Sequence, residues 1–208
     1  VLILLPLAFI KRDGSSTPVR RSSIVVYFVC LGLAFLFIEL AFIQKFTLIL
    51  SQPLYAVAVT LCAFLIFSGL GSLYVQRKIA AHQLHRIPQL LTRAVAWIVT
   101  ITLLYLITLP YLTDAIMAQS ELFRVAAAVL LAAPLAFVMG MPFPLGLAAT
   151  RHTDPQLMPW AWGINGCASV LSAILAILLA IEIGFSGVML SAIMLYTLAW
   201  LSQPVLKS

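Results

Sequence analysis

The sequence LGLAFLFIELAFIQKFTLIL, residues 31–50, decides the fold of this chain. With the apolar residues that precede it, the run extends from residue 24 to residue 50. As a helix, this run would be about 40 Å long. That length exceeds the roughly 30 Å thickness of a bilayer's hydrocarbon core, so the run is predicted to cross a membrane as a tilted or protruding helix. Glu39, and then Gln44 and Lys45, interrupt it.

The composition of the whole chain also indicates a membrane protein. Of its 208 residues, 63% are hydrophobic and 9% are charged, whereas about 25% of the residues of a soluble domain are charged. The formal net charge is +6, but the basic residues lie in short segments between apolar runs, which favours a role in membrane topology over nucleic-acid binding. The three cysteines have neither metal nor disulfide spacing, and we expect no metal or other cofactor in this chain.

The apolar runs predict an all-α fold, a polytopic transmembrane helix bundle with six complete spans. Residues 1–10 are apolar but too few to cross a membrane, and are predicted to be the end of a truncated transmembrane helix. Residues 11–23 are predicted to be a cytoplasmic basic loop, and residues 24–208 a six-helix transmembrane domain. The six spans are predicted at residues 24–50, 54–75, 94–112, 122–150, 160–181 and 188–201.

The distribution of basic residues predicts the orientation of the spans. If the loop at residues 11–23 is cytoplasmic, ten of the 12 lysine and arginine residues fall on the cytoplasmic side. Only Lys45 and Arg124 fall on the other side. The positive-inside rule therefore predicts this orientation, with a cytoplasmic C-terminus.

Glu39 is the first candidate functional residue, because an ionisable side chain inside a membrane is costly and usually faces protein or water. Counted from the cytoplasmic end of its helix, it lies about 22 Å deep, slightly beyond the midplane. It is either a carboxylate that binds a proton or cation, or a protonated glutamate that bonds to a neighbouring helix as a structural group. Gln44, on the same helix, is a second candidate for substrate or ion binding.

A second set of candidates lies nearer the cytoplasm and consists of helix-breaking, small and polar residues. The segment GMPFPLG, residues 140–146, interrupts a predicted span, and its two prolines remove two backbone donors. It is either a broken helix at a binding site or a packed kink. Asn165 is a further candidate for substrate or ion binding, in a stripe with Ser169, Ser172 and Ala176 that is suited to close helix contact. The helix-break and packing candidates are Gly140, Pro142, Pro144, Gly146, Gly163 and Gly166. With residues 68–72, these segments are predicted to share one level of the membrane.

The chain contains four distinctive blocks: FIELAFIQKF (37–46), LIFSGLGSL (65–73), MGMPFPLGL (139–147) and PWAWGINGCASVL (159–171). Together they resemble the membrane domain of spermidine-synthase-like integral membrane proteins of bacteria, over essentially all of residues 24–201. In that family, a cytoplasmic domain similar to aminopropyltransferases and S-adenosylmethionine-dependent methyltransferases accompanies the membrane helices. The resemblance implies a location in the bacterial inner membrane and catalysis by a separate domain, so we assign no catalytic residue and expect no enzymatic activity from this chain alone.

Three functions remain open from the sequence. The leading interpretation is a multi-pass membrane domain that anchors or serves a cytoplasmic catalytic domain. The alternatives are a small-molecule or polyamine transporter that uses the carboxylate of Glu39, and an accessory structural subunit of a larger membrane complex. The expected partners are the lipid bilayer and either a cytoplasmic catalytic domain or other membrane subunits, but not nucleic acid.

Overall fold

The computed structural model describes residues 18–80 and 86–203. Within these ranges the chain is all-α, as predicted, and one 3-10 turn at Pro155–Leu157 precedes its last helix. The helices are α1 (Pro18–Leu50), α2 (Pro53–Ala80), α3 (Ile87–Met117), α4 (Glu121–Met139), α5 (Pro142–Thr153) and α6 (Met158–Leu201). The predicted truncated helix at residues 1–10 lies outside the described residues, and so does most of the predicted loop at 11–23. The part of that loop from Pro18 onward is helical.

Among the described residues, five helical stretches are long and apolar enough to cross a membrane. They are Ser22–Leu50, Pro53–Ile79, Ile87–Met117, Glu121–His152 and Pro155–Leu201. These five stretches indicate a membrane protein. The predicted number of six spans is not matched, because the fifth and sixth predicted spans are joined in the single stretch Pro155–Leu201. Only Gly184 departs from helical geometry within α6, and the part that follows it would be about 26 Å long, shorter than the roughly 30 Å hydrocarbon core.

The chain nevertheless reverses direction at Gly184, whose φ is 69° and ψ is −177°. The ring of Phe185 lies 5.8 Å from the Nζ atom of Lys45, near the C-terminal end of α1. Tyr196, further along α6, lines the same cavity as Leu31, which lies nearer the beginning of α1. The second part of α6 therefore runs back along α1. The turn predicted at residues 182–187 is reduced to one glycine, in a backbone region that is essentially restricted to glycine.

Helix α1 is the central helix of the bundle and contacts each of the other five helices. Its contact with α6 is close because Gly32 has no side chain: a Cβ atom there would lie 2.5 Å from the backbone oxygen of Asn165. Ser172 Oγ of α6 donates a hydrogen bond of 2.9 Å to the backbone oxygen of Leu33 on α1. Ser169 Oγ, whose shorter hydrogen bond is to Asn165 within α6, lies 3.4 Å from the backbone oxygen of Gly32. The predicted packing of the Asn165, Ser169 and Ser172 stripe against a neighbouring helix is thus confirmed.

The outer surface of the bundle carries many large apolar side chains. Leu54 is 84% exposed, Leu122 is 81% exposed and Ile181 is 74% exposed. An apolar surface of this extent is unusual for a soluble monomer and is what lipid-facing helices require. It agrees with the assignment of the chain as a membrane protein.

Candidate functional site

The predicted span at residues 122–150 is broken into two helices, as its glycines and prolines suggested. Helix α4 ends at Met139, and α5 begins at Pro142. The hydroxyl of Tyr27 donates a hydrogen bond of 2.7 Å to the backbone oxygen of Pro142. This buried bond holds the break against the central helix.

Glycines bring the helices around this break into backbone contact. A Cβ atom at Gly140 would overlap the backbone of Ser68 on α2, and a Cβ atom at Gly146 would overlap the ring of Tyr27 on α1. The absence of a side chain at these positions lets α4 approach α2 and lets α5 approach α1. The end of the bundle at the break is therefore closely packed on two sides.

A cavity of about 550 Å³ lies beside the break, and we call it the lateral cavity. Its volume falls within the roughly 300–1,000 Å³ of typical small-molecule sites. The segments at residues 68–72, 140–146 and 163–166, which the sequence placed at one level of the membrane, each contribute to it. Its lining residues are Leu31, Gly32, Phe35, Leu65, Ser68, Gly69, Ser72, Met139, Gly140, Phe143, Pro144, Trp162, Asn165, Ser169 and Tyr196.

The lining of the lateral cavity is mostly apolar and includes no charged side chain. The hydroxyl of Ser169 donates to the backbone oxygen of Asn165 at 2.9 Å, and the hydroxyl of Ser72 accepts from Gln76 Nε2 at 3.3 Å. The side-chain amide of Asn165 and the hydroxyl of Tyr196 form no hydrogen bond with the part of the chain that the structure describes. Tyr196 is only 1% exposed and interacts electrostatically with the buried Tyr27. The partly exposed amide of Asn165 is therefore a polar group that the cavity offers to a ligand.

The lateral cavity opens sideways, between α2 and the first part of α6. Both helices pack against α1, but they make no extensive contact with each other. On the two rims, Leu65 is 67% exposed and Trp162 is 60% exposed. Both helices belong to stretches that are long and apolar enough to cross a membrane, so these exposed apolar rims are suited to contact with lipid.

A second cavity, of about 360 Å³, adjoins the lateral cavity near the ends of α2 and α5, and we call it the basic cavity. Pro144 lines both cavities. The hydrogen bond between Gln76 and Ser72 also joins them, since Gln76 lines the basic cavity. Its lining residues are Gln76, Ile79, Pro144, Leu147, Ala148, Arg151, His152 and Met158.

The structure brings only some of the predicted site residues together. Asn165, Gly140 and Pro144 line the lateral cavity, while the buried Pro142 and Gly146 contact Tyr27 behind it.

Two of the glycines assigned to helix breaking or packing lie away from the lateral cavity lining. Gly163 is partly buried, and a side chain at Gly166 would meet open space. Neither glycine breaks α6, whose non-helical residue is Gly184.

Glu39 lies in the interior of the bundle, apart from both cavities. It is 4% exposed and forms neither a hydrogen bond nor an ion pair with residues 22–79 or 86–203. Gln44 is exposed. The structure therefore separates Glu39, Gln44 and Asn165 instead of gathering them into one site. In the described ranges, no group of three or more His, Cys, Asp or Glu side chains could hold a metal ion.

Sequence reasoning missed several residues of the lateral cavity, above all Tyr196 and Phe35. A usable signal existed for Tyr196, because a hydroxyl within an apolar span needs a partner and so marks a position that faces protein or a ligand. No comparable signal distinguishes Phe35 from the other apolar residues of α1.

Comparisons of this chain with protein-family models, with curated proteins and with solved structures found no match.

Proposed function

We propose that this chain is the multi-pass membrane domain of a bacterial spermidine-synthase-like protein, and that it anchors or serves a cytoplasmic catalytic domain. One observation carries the proposal. Most of the lateral cavity lining comes from three of the four sequence blocks, at residues 65–73, 139–147 and 159–171. The remaining block, at 37–46, lies on the central helix. Blocks that are far apart in sequence thus meet around one cavity, as a shared function would require.

The distribution of charge supports a cytoplasmic position for the end of the bundle that carries the basic cavity. The last turn of α2 contains Arg77 and Lys78, and the last turn of α5 contains Arg151 and His152. Under the positive-inside rule this end faces the cytoplasm of a bacterial inner membrane. The hydrogen bond from Trp200 Nε1 near the end of α6 to Thr92 Oγ1 near the start of α3 supports a cytoplasmic C-terminus on the same side. A catalytic domain in the cytoplasm would then lie next to both cavities.

The test is co-expression of this chain with the aminopropyltransferase-like domain that we propose its reading frame encodes, as separate polypeptides with different tags. We expect the soluble domain to sediment with membranes and to co-purify with this chain. An unrelated soluble domain of similar size is the control. Equal membrane retention with and without this chain would contradict the proposal, and so would a reading frame that encodes no such domain.

The burial of Glu39 favours a second candidate function, a transporter of polyamines or other small cations. A carboxylate that is 4% exposed and lacks a partner among the described residues is costly in a membrane. A bound cation would balance its charge. The cation site would then be separate from the lateral cavity, whose lining carries no charge.

Spermidine uptake into proteoliposomes tests this second candidate. We expect uptake by the unmodified protein and its loss in Glu39→Gln, which keeps the shape of the side chain but removes its charge. Glu121→Gln, the same substitution at an exposed glutamate at the start of α4, is the control and should leave uptake unchanged. Uptake that is unchanged in Glu39→Gln would show that Glu39 has no part in transport. An absence of uptake by the unmodified protein would rule out the transporter function.

A further inference from the structure

We infer that the lateral cavity and the basic cavity together bind one anionic membrane lipid, with an acyl chain in the former and the phosphate of the headgroup in the latter. The inference shares one premise with the proposed function, namely that the lateral cavity is functional. It needs no catalytic domain. Either proposal can therefore fail without the other.

The two cavities form a continuous site along one face of α2. Residues 65, 68, 69 and 72 line the lateral cavity, and residues 76 and 79 continue the same face into the basic cavity. Residue 65, the adjacent pair 68 and 69, and residues 72, 76 and 79 follow one another at intervals of three or four positions, which places them on one face of the helix. From residue 65 to residue 79 this row extends about 21 Å, compared with roughly 15 Å for the hydrocarbon of one leaflet. A site of this length can hold both an acyl chain and a headgroup.

The lateral cavity has the properties that an acyl chain requires. Its lining is mainly apolar, and its rims carry the exposed apolar side chains of Leu65 and Trp162, which are suited to contact with lipid. A lipid chain can therefore enter without passing through water. A free charged metabolite would lose its hydration in this cavity without meeting an opposite charge, which disfavours it strongly. The side-chain amide of Asn165, which forms no hydrogen bond with the described residues, can bond to uncharged ester or glycerol oxygens.

The basic cavity has the properties that a phosphate requires. Arg151 and His152 line it and are exposed, and neither forms an ion pair with the residues that the structure describes. The nearby Asp154 accepts a hydrogen bond from the backbone N–H of Gln156, at 3.2 Å. A guanidinium binds phosphate oxygens through paired hydrogen bonds. Basic pockets between transmembrane helices on the cytoplasmic side are typical sites for anionic headgroups.

Binding of phosphatidylglycerol and of phosphatidylcholine with the same acyl chains, measured by native mass spectrometry on the purified full chain, tests the inference. We expect phosphatidylglycerol to bind more tightly. Arg151→Gln should reduce that preference by about fivefold, the factor expected for one basic side chain at a membrane surface. Inorganic phosphate alone should not bind. Equal affinity for the two lipids, or binding of inorganic phosphate at the same site, would overturn the inference.

A second pair of variants tests the position of the acyl chain. A side chain at Gly69 would meet no atom within 4 Å and would project from a position that lines the lateral cavity, so Gly69→Phe should fill it and lower affinity for both lipids. Gly166→Phe is the matched control, because a side chain there also meets open space but lies outside the lining. Equal affinities in the two variants would contradict the inference.

A photoactivatable phosphatidylglycerol keeps the test independent of how the variants fold. In the unmodified protein we expect its acyl-chain label to attach mainly to the peptide that contains residues 65–72. Attachment spread evenly over the exposed apolar surface would overturn the inference. Because these experiments need only this chain and lipid, failure of the co-expression experiment would not affect their outcome.

Discussion

Replacing Gly32 with alanine tests whether close contact between α1 and α6 holds the core together. The added Cβ atom would lie 2.5 Å from the backbone oxygen of Asn165 and 2.9 Å from Cβ of Ala168. Ordinary van der Waals contact begins at 3.4 Å, so the helices must separate locally by roughly 0.9 Å, an overpacking that typically costs about 1–3 kcal/mol. The helix propensity of alanine offsets about 1 kcal/mol of this cost.

Gly166→Ala provides the matched control, because it also replaces a helical glycine but adds its Cβ atom in open space. Both variants gain the same propensity, so the difference between them isolates the packing cost. We expect Gly32→Ala to be less stable than Gly166→Ala by about 1–3 kcal/mol. For a chain of this size, each kcal/mol corresponds to a Tm shift of about 2–4 °C.

Thiol labelling during heating in detergent measures this difference at the relevant contact. Cys30 is 6% exposed and lies two positions before Gly32, so its labelling reports separation of α1 from its neighbours. Cys62 and Cys167 are first replaced with alanine to remove other thiols. We expect the labelling midpoint to be lower in Gly32→Ala than in Gly166→Ala. Equal midpoints would refute the reasoning that the absence of a side chain at Gly32 sets the distance between the helices.

Two further substitutions test the break before α5 and the reversal in α6. Tyr27→Phe removes the buried 2.7 Å hydrogen bond to Pro142 and should lower the free energy of unfolding by about 1–2 kcal/mol. Tyr111→Phe, at a side chain that is 77% exposed, is the control and should change the free energy of unfolding little. Equal effects of the two variants in the heating assay would show that the bond does not stabilise the break. Gly184→Ala places a side chain on a backbone with φ of 69° and should lower the free energy of unfolding by about 1–3 kcal/mol. A Tm equal to that of the Gly166→Ala control would contradict the requirement for glycine at this position.

The sequence predicts most of the helices because a membrane span is defined by length and apolarity. The end of α1 at Leu50 was predicted from the polar residues and Pro53 that follow it, and the break in the predicted fourth span was predicted from its prolines. The structure has five such stretches instead of the predicted six because hydropathy does not reveal how tightly two apolar runs are joined. At Gly184 a single residue changes direction, so no polar loop separates the two runs.

The sequence predicts how deep in the membrane the residues of the site lie, but not which side chains line the cavity. A fixed rise of 1.5 Å per residue places Ser68, Gly140 and Asn165 at a similar depth, and the structure brings them to one cavity. Which face of each helix turns towards the cavity depends on packing with its neighbours. Helices that are apolar all round give no indication of that face, which is why Phe35 and Tyr196 were missed and why Gly166, although at the right depth, lies outside the lining.

The central position of α1 has a consequence for how the protein is made. The hydrogen bond from Ser172 to Leu33 joins residues 139 positions apart, so the ribosome must complete α2 to α5 before the first part of α6 can reach α1. Until then, the surface of α1 around Gly32 that α6 will cover is open to lipid or to the insertion machinery. Contacts over such sequence distances form late and slowly. The core of this bundle therefore packs near the end of synthesis. A nascent chain that stops before α6 leaves the central helix α1 exposed on the face that α6 covers in the complete bundle.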